Sequence, residues 1–179
     1  MGLGKTIEII DLILLNPRPL LSEKTFCDDS GTTLREIKAT LIITPPTIRT
    51  SFVSDLTNRG SVSQWATEFA EKAPSLKVFI YSGIQNLPSD FNDDVFDQHD
   101  VVLATYPILS KELYYAQPPP NRSMRYAKVH QYRRSPLVNC RFWRVCLDEA
   151  QMIEGSVTSA ATVACLIPRI VCQPGSPDC

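Results

Sequence analysis

Gly2-Leu3-Gly4-Lys5-Thr6, running straight into Ile7-Glu8-Ile9-Ile10-Asp11-Leu12-Ile13-Leu14-Leu15, is the stretch on which the fold turns. From Lys5 to Leu15 apolar residues recur as Ile7, Ile10 and Leu14, with Ile9 and Ile13 beside them, and Asn16-Pro17 ends the pattern. The spacing predicts a helix with little exposed surface. Two glycines, a lysine and a threonine at its mouth suit a phosphate: glycines let backbone N–H groups come close, and the helix dipole adds partial positive charge. Lys5 is a compact cation for β- and γ-phosphates, and the Thr6 hydroxyl can ligate Mg²⁺. Gly2, Leu3, Gly4, Lys5 and Thr6 are therefore the candidate cofactor-binding residues, with Thr6 also a metal ligand. Only the second half of the pattern G-x-x-x-x-G-K-[ST] is present, and a plain glycine-rich helix entry is the alternative.

A second constellation, Leu147-Asp148-Glu149-Ala150-Gln151, closes the apolar run Phe142–Leu147 (FWRVCL). Nucleotide hydrolysis needs one carboxylate to hold Mg²⁺ and another to orient or deprotonate water, and adjacent residues after a strand can supply both. Asp148 is the expected metal-holding residue and Glu149 the expected general base, with Lys5 the other candidate catalytic residue. A pair that only caps the following helix would look the same in isolation. The glycine-rich helix entry elsewhere in the chain favours the catalytic reading.

Between these motifs strands and helices alternate. Ala39–Thr44 (ATLIIT) is a β-branched run closed by Pro45-Pro46 and reads as a buried parallel strand, preceded by an expected loop over 17–38. Ser61–Ala73 places Trp65 and Phe69 four apart and Ser61 three residues before Gln64, which predicts an amphipathic helix with a capping box. Leu76–Tyr81 (LKVFIY) and Val101–Thr105 (VVLAT) are further expected strands. The alternation predicts a doubly wound α/β layer with a parallel sheet and flanking helices, whose ligands gather at the strands' carboxyl ends. One domain over 1–170 is expected, with irregular insertions at 49–63 and 117–136 and an atypical tail at 171–179. The second insertion is basic: no acidic residue separates Glu112 from Asp148, against Arg122, Arg125, Lys128, Arg133, Arg134, Arg141 and Arg144.

Composition sets outer limits. The chain has 179 residues, 44% hydrophobic and 21% charged, which is ordinary for one globular domain. A net charge of -1 gives no global sign of a nucleic-acid or membrane partner, so any such sign must be local. No apolar run reaches the roughly 18 to 20 residues of a bilayer span, and Glu8 and Asp11 interrupt the longest candidate. Six cysteines without a C-x-x-C pair, and only His99 and His130, argue for scattered reduced thiols, Cys146 lying in a buried strand, and against zinc.

The motifs together resemble those of the Swi/Snf-type ATPases of helicase superfamily two. Met1-Gly2-Leu3-Gly4-Lys5-Thr6 looks like the tail of their D-E-M-G-L-G-K-T phosphate loop. Leu41–Pro46 (LIITPP) looks like motif Ia, Val101–Tyr106 (VVLATY) like the Ib region, and Asp148–Gln151 (DEAQ) like motif II. Gln151, where many relatives carry histidine, within Arg144–Met152, is most similar to the SHPRH-like branch, in which a RING ubiquitin-ligase module accompanies the ATPase. The resemblance implies a partial α/β, RecA-like lobe with a parallel sheet and flanking helices, ATP and Mg²⁺ as cofactors, double-stranded DNA or chromatin as partner, a nuclear location and no membrane. It further implies DNA-backbone contacts at Thr44, Pro45, Pro46, Thr47, Thr105 and Tyr106, through hydroxyls and backbone N–H groups that read phosphate without sequence. The proline pair serves equally well as a strand terminator. The stretch Arg122–Arg134, with Tyr126 and Tyr132 interleaved, suits added phosphate contacts or a solvated loop.

The chain departs from that pattern at both ends. It starts inside the phosphate loop and stops before the family's S/T-G-T-P motif and second lobe, with its arginine fingers. An incomplete lobe is therefore expected, with Met1 an internal methionine, Arg49–Ser63 a translated intron, and little or no ATPase activity by itself. Removal of such an arginine can lower the rate roughly 10³- to 10⁵-fold. Two alternatives stay open: a fragment that binds DNA or protein without hydrolysis, and another kind of phosphate-loop NTPase.

Overall fold

The computed structural model describes residues 4–18, 25–27, 33–46, 61–88, 91–116, 134–152 and 158–170. In chain order the elements are α1 (Lys5–Leu15), β1 (Thr25–Cys27), β2 (Thr33–Thr44), α2 (Ser61–Lys72), β3 (Val78–Ile80), α3 (Asp94–Asp97), β4 (Val101–Thr105), α4 (Tyr106–Ala116), α5 (Pro136–Asn139), β5 (Cys140–Leu147) and α6 (Ser159–Leu166). Four strands form a parallel sheet in the order β5-β2-β4-β3, and β1 pairs antiparallel with the start of β2. Of the expected insertions, residues 49–60 and 117–133 lie outside the described residues, as does the tail 171–179. Residues 61–63 form the first turn of α2.

The sheet is covered on both faces, which explains why Ala39–Thr44 is a continuous buried run rather than an alternating one. One face carries Ile42, Val101 and Leu103 against Ile10 and Ile13 of α1 and Trp65 and Phe69 of α2. The other carries Leu41, Ile43, Val102, Ala104 and Phe142 against Phe96, Leu109 and the α6 residues Ala160 and Val163. Register puts Ile43 opposite both Ala104 and Leu147, so β2, β4 and β5 end side by side.

Several expectations need correction. The loop expected over 17–38 contains β1 and the first half of β2. Arg35, Glu36 and Lys38 hide that strand, because charged residues at strand positions read as loop unless their partners are known. Glu36 is 9% exposed because it accepts from Arg18 at 2.6 Å and from Arg141 at 2.9 Å. The helix α1 buries only one side: Ile7, Leu12, Leu14 and Leu15 are exposed, so Ile10 and Ile13 define the seated face and Ile7 and Leu14 do not. The capping box is also absent. The Ser61 hydroxyl donates to the Pro45 carbonyl at 3.1 Å, and the Gln64 amide to Glu68 at 3.0 Å. β3 is shorter than expected, although the Tyr81 N–H still reaches Leu103 O at 2.8 Å, and β5 starts two residues earlier, at Cys140. Cys146, expected in a buried strand, is half-buried, whereas Cys140 is fully buried.

Candidate functional site

α1 opens at Gly4, whose φ of 103° lies in the left-handed region where a side chain is strained, and the Glu8 N–H closes the first turn on Gly4 O at 2.9 Å. The glycine is thus required by the backbone turn into the helix. At the opposite wall the Asp148 N–H donates to Ile43 O at 2.8 Å, extending the β2–β5 pairing by one residue. The Tyr106 hydroxyl donates to the Asp148 carbonyl at 2.8 Å. Glu149 then takes a left-handed φ of 52°, uncommon for a residue with a side chain and a mark of a constrained turn.

These two walls meet. Lys5 Nζ lies 3.0 Å from Glu149 Oε1, and the Gln151 amide donates to the second Glu149 oxygen. Trp65 Nε1 donates to Asp148 Oδ2 at 3.1 Å. α2 supplies a third wall, where Glu68 accepts from Gln64 at 3.0 Å and from Lys72 at 3.1 Å and faces Thr6 across the cleft. The walls enclose an open cleft of about 450 Å³ lined by Gly4, Lys5, Thr6, Ser61, Gln64, Trp65, Glu68, Lys72, Asp148 and Glu149. That is the size range of small-ligand sites.

Electrostatics favour the charged forms of Lys5, Glu149 and Glu68. The hydrogen bond and charge of Glu149 raise the Lys5 pKa above its ordinary value, and the bonds from Lys5 and Gln151 hold Glu149 below the usual carboxylate range. Burial opposes ionisation of Glu68, yet its donors Gln64, Lys72 and Thr6 outweigh it and leave the pKa lowered. Burial, followed by the charges of Asp148 and Glu149, pushes Tyr106 up to about 12. Lys5 and Glu149 are 58% and 40% exposed, so their ion pair is weak in water and an incoming anion can replace it. The donor set of a hydroxyl, a carboxylate and a nearby ammonium fits a magnesium–phosphate ligand: hard oxygen donors for the cation, a point charge for the anion.

Five of the expected site residues therefore converge: Gly4, Lys5, Thr6, Asp148 and Glu149. Gly2, Leu3 and Thr47 lie outside the described residues. Thr44 and Thr105 are register partners at the neighbouring strand ends. Thr44 is fully buried with its hydroxyl 3.4 Å from Pro45 O, Pro45, Pro46 and Thr105 are half-buried, and Tyr106 is buried against Asp148. In the basic stretch, Arg141 is paired with Glu36, and Arg144 lies beside the Trp143 ring and donates to Asn16 O. Sequence reasoning missed the α2 wall of the cleft. Ser61, Gln64, Trp65, Glu68 and Lys72 recur at helical spacing along one side of the helix, and that stripe was the available signal.

An α/β lobe with a lysine at a glycine-led helix start, facing an acidic pair at a strand end, defines the RecA-like nucleotide-binding class. Within it, the SNF2-related domain family matches residues 1–169, and the chain belongs to that family of helicase-like ATPase domains. It is 37% identical over 179 residues to the uncharacterized ATP-dependent helicase IRC20 of Saccharomyces cerevisiae, covering 95% of this chain and 10% of that protein. It is 32% identical over 134 residues to the human E3 ubiquitin-protein ligase SHPRH, covering 71% and 7%. The DNA repair protein RAD5A of Arabidopsis thaliana is 28% identical over 200 residues, covering 99% and 18%. The chain thus spans about a tenth of the length of the first two relatives. The Sulfolobus solfataricus SWI2/SNF2 ATPase core, solved in complex with double-stranded DNA, superposes with a TM-score of 0.50 at 17% identity, over 94% of this chain and 24% of that one. That likeness establishes the RecA-like fold.

Proposed function

We propose that this chain is the ATP-binding lobe of a DNA-dependent ATPase that moves on double-stranded DNA or chromatin in the nucleus, with ATP and Mg²⁺ as its cofactors. The observation that carries the reading is the 3.0 Å approach of Lys5 to Glu149 across one cleft, although 144 residues separate them in the chain. Gly4 and the start of α1 offer backbone N–H groups and dipole to phosphate oxygens, and Lys5 exchanges Glu149 for the β- and γ-phosphates. Thr6 and Asp148 are the residues that would hold Mg²⁺, which when bound neutralises charge shared between those phosphates. Glu149, freed from Lys5, accepts a proton from the attacking water or orients it.

Among the described residues the cleft carries Lys5 and Lys72 but no arginine. An arginine beyond those residues would supply the remaining transition-state charge, and we expect turnover by this chain by itself to be low. DNA engagement is assigned to the strand ends at Pro45-Pro46 and Thr105, half-buried and adjacent to the cleft, with buried Thr44 shaping the strand beneath them. Support for DNA repair and ubiquitin-linked work comes from the names of the plant and human relatives.

Titration with a fluorescent ATP analogue and Mg²⁺ tests the reading. Lys5→Ala should weaken binding at least tenfold, roughly the loss of one charge-assisted hydrogen bond of about 1.5–3 kcal/mol. Glu149→Gln should retain binding. Equal affinity of Lys5→Ala and the parent chain would overturn the assignment.

A further inference from the structure

The backbone of Asp148 is held twice, by its own N–H on Ile43 O and by the Tyr106 hydroxyl on its carbonyl. Its side-chain torsions are the freedom that remains, and the contact that restrains them is the indole N–H of Trp65, 3.1 Å from Oδ2. Trp65 is itself 6% exposed, packed on Phe69 with ring centroids 5.9 Å apart and seated in the core that also holds Ile10 and Ile13 of α1. An indole has a single donor and no acceptor, so this rigid side chain has one polar act to perform, and it is spent on a carboxylate 83 residues away.

We propose that Trp65 is a positioning residue for Asp148, acting from α2 to commit Oδ2 to its N–H and so leave the other carboxylate oxygen to serve the divalent cation. The proposal rests on the nucleotide-site reading above. Outer partners of this kind orient a ligand without touching the metal, and their removal typically lowers metal affinity about 10- to 100-fold. Because the same residue seats α2 beside α1, the cation's carboxylate and the phosphate-binding helix share one support. A core tryptophan whose N–H is merely satisfied would have no such effect on the cation.

The experiment measures a fluorescent ATP analogue bound to this chain at increasing Mg²⁺, in the parent chain, in Trp65→Phe, and with β-(3-benzothienyl)alanine at position 65. The last keeps the ring volume and lacks the N–H, so it separates the hydrogen bond from the packing when Trp65→Phe lowers the melting temperature. In both variants the Mg²⁺ concentration at half-saturation should rise roughly tenfold while affinity for the analogue without Mg²⁺ is unchanged. A half-saturation point that does not move in the benzothienyl variant, or Mg²⁺-free affinity that falls by the same factor, overturns the role of Trp65 while leaving the nucleotide site in place. Failure of the parent chain to bind the analogue, with or without Mg²⁺, overturns the nucleotide reading and this role with it.

Discussion

Replacing Phe69 by alanine removes the centre of the core that seats both α1 and α2 on the sheet. Phe69 is fully buried, touches the Trp65 ring and packs among Ile10, Ile13, Ile42, Val101 and Leu103. Deleting a buried phenyl ring loses its transfer free energy and leaves a cavity that β2 and β4, paired on their own edges, cannot move to fill. Such changes cost about 3–5 kcal/mol, roughly a fifth or more of a typical stability of about 5–15 kcal/mol. At about 2–4 °C per kcal/mol for a domain of this size, the melting temperature should fall by roughly 6–20 °C. Urea unfolding followed by circular dichroism measures the loss directly, and Phe69→Leu, which keeps more of the volume, should lose less than about 1.5 kcal/mol. Hydrogen exchange adds location: amides of α2 should lose more protection than those of α6, which packs on the opposite face. A loss under about 1 kcal/mol for Phe69→Ala would mean that this cluster does not hold the helices, and the account of the cleft's support would fail.

Two titrations probe the charges at the cleft. Glu149 should ionise below its ordinary 4.5 in a carboxyl-resolved NMR titration and return toward it in Lys5→Met; an unmoved value would deny the ion pair. With a lowered folded-state pKa, its small contribution to stability is present above pH 4.5 and disappears as pH falls through the depressed value, and solvent exposure keeps it small. Tyr106 runs the other way. Its pKa is raised from 10.0 to about 12, so its contribution is complete below pH 10 and fades as pH climbs toward 12. Ultraviolet difference titration of the parent chain against Tyr106→Phe should show the missing phenolate signal near pH 12, and a signal missing near pH 10 instead would refute its burial against Asp148.

What could be read in the chain was whatever depends on near neighbours. The helix over Lys5–Leu15 and the strand over Val101–Thr105 were located to the residue, because periodicity and the flanking turn residues are local signals. The glycine at position 4 and the acidic pair after an apolar run were legible for the same reason: a left-handed turn and a strand end each leave their mark within a few residues. Strand β2 from Thr33 to Lys38 was not legible, since Glu36 is tolerable inside only when Arg18 and Arg141 arrive from other elements. Nor was the seated face of α1, where Ile7 and Leu14 are as apolar as Ile10 and Ile13, and only the position of the sheet chooses between them. The third wall of the cleft was equally hidden. Trp65 and Phe69 looked like the inner stripe of an amphipathic helix, and both are, but nothing within the helix reveals that the indole N–H meets Asp148 or that Glu68 shares a cleft with Thr6. By itself, then, the sequence determined the class of elements and the chemistry available to them, through backbone preferences and hydrophobic period. Tertiary structure alone decided which side chains share the cleft, because the strand order β5-β2-β4-β3 brings residues 83 and 144 positions apart within hydrogen-bonding distance.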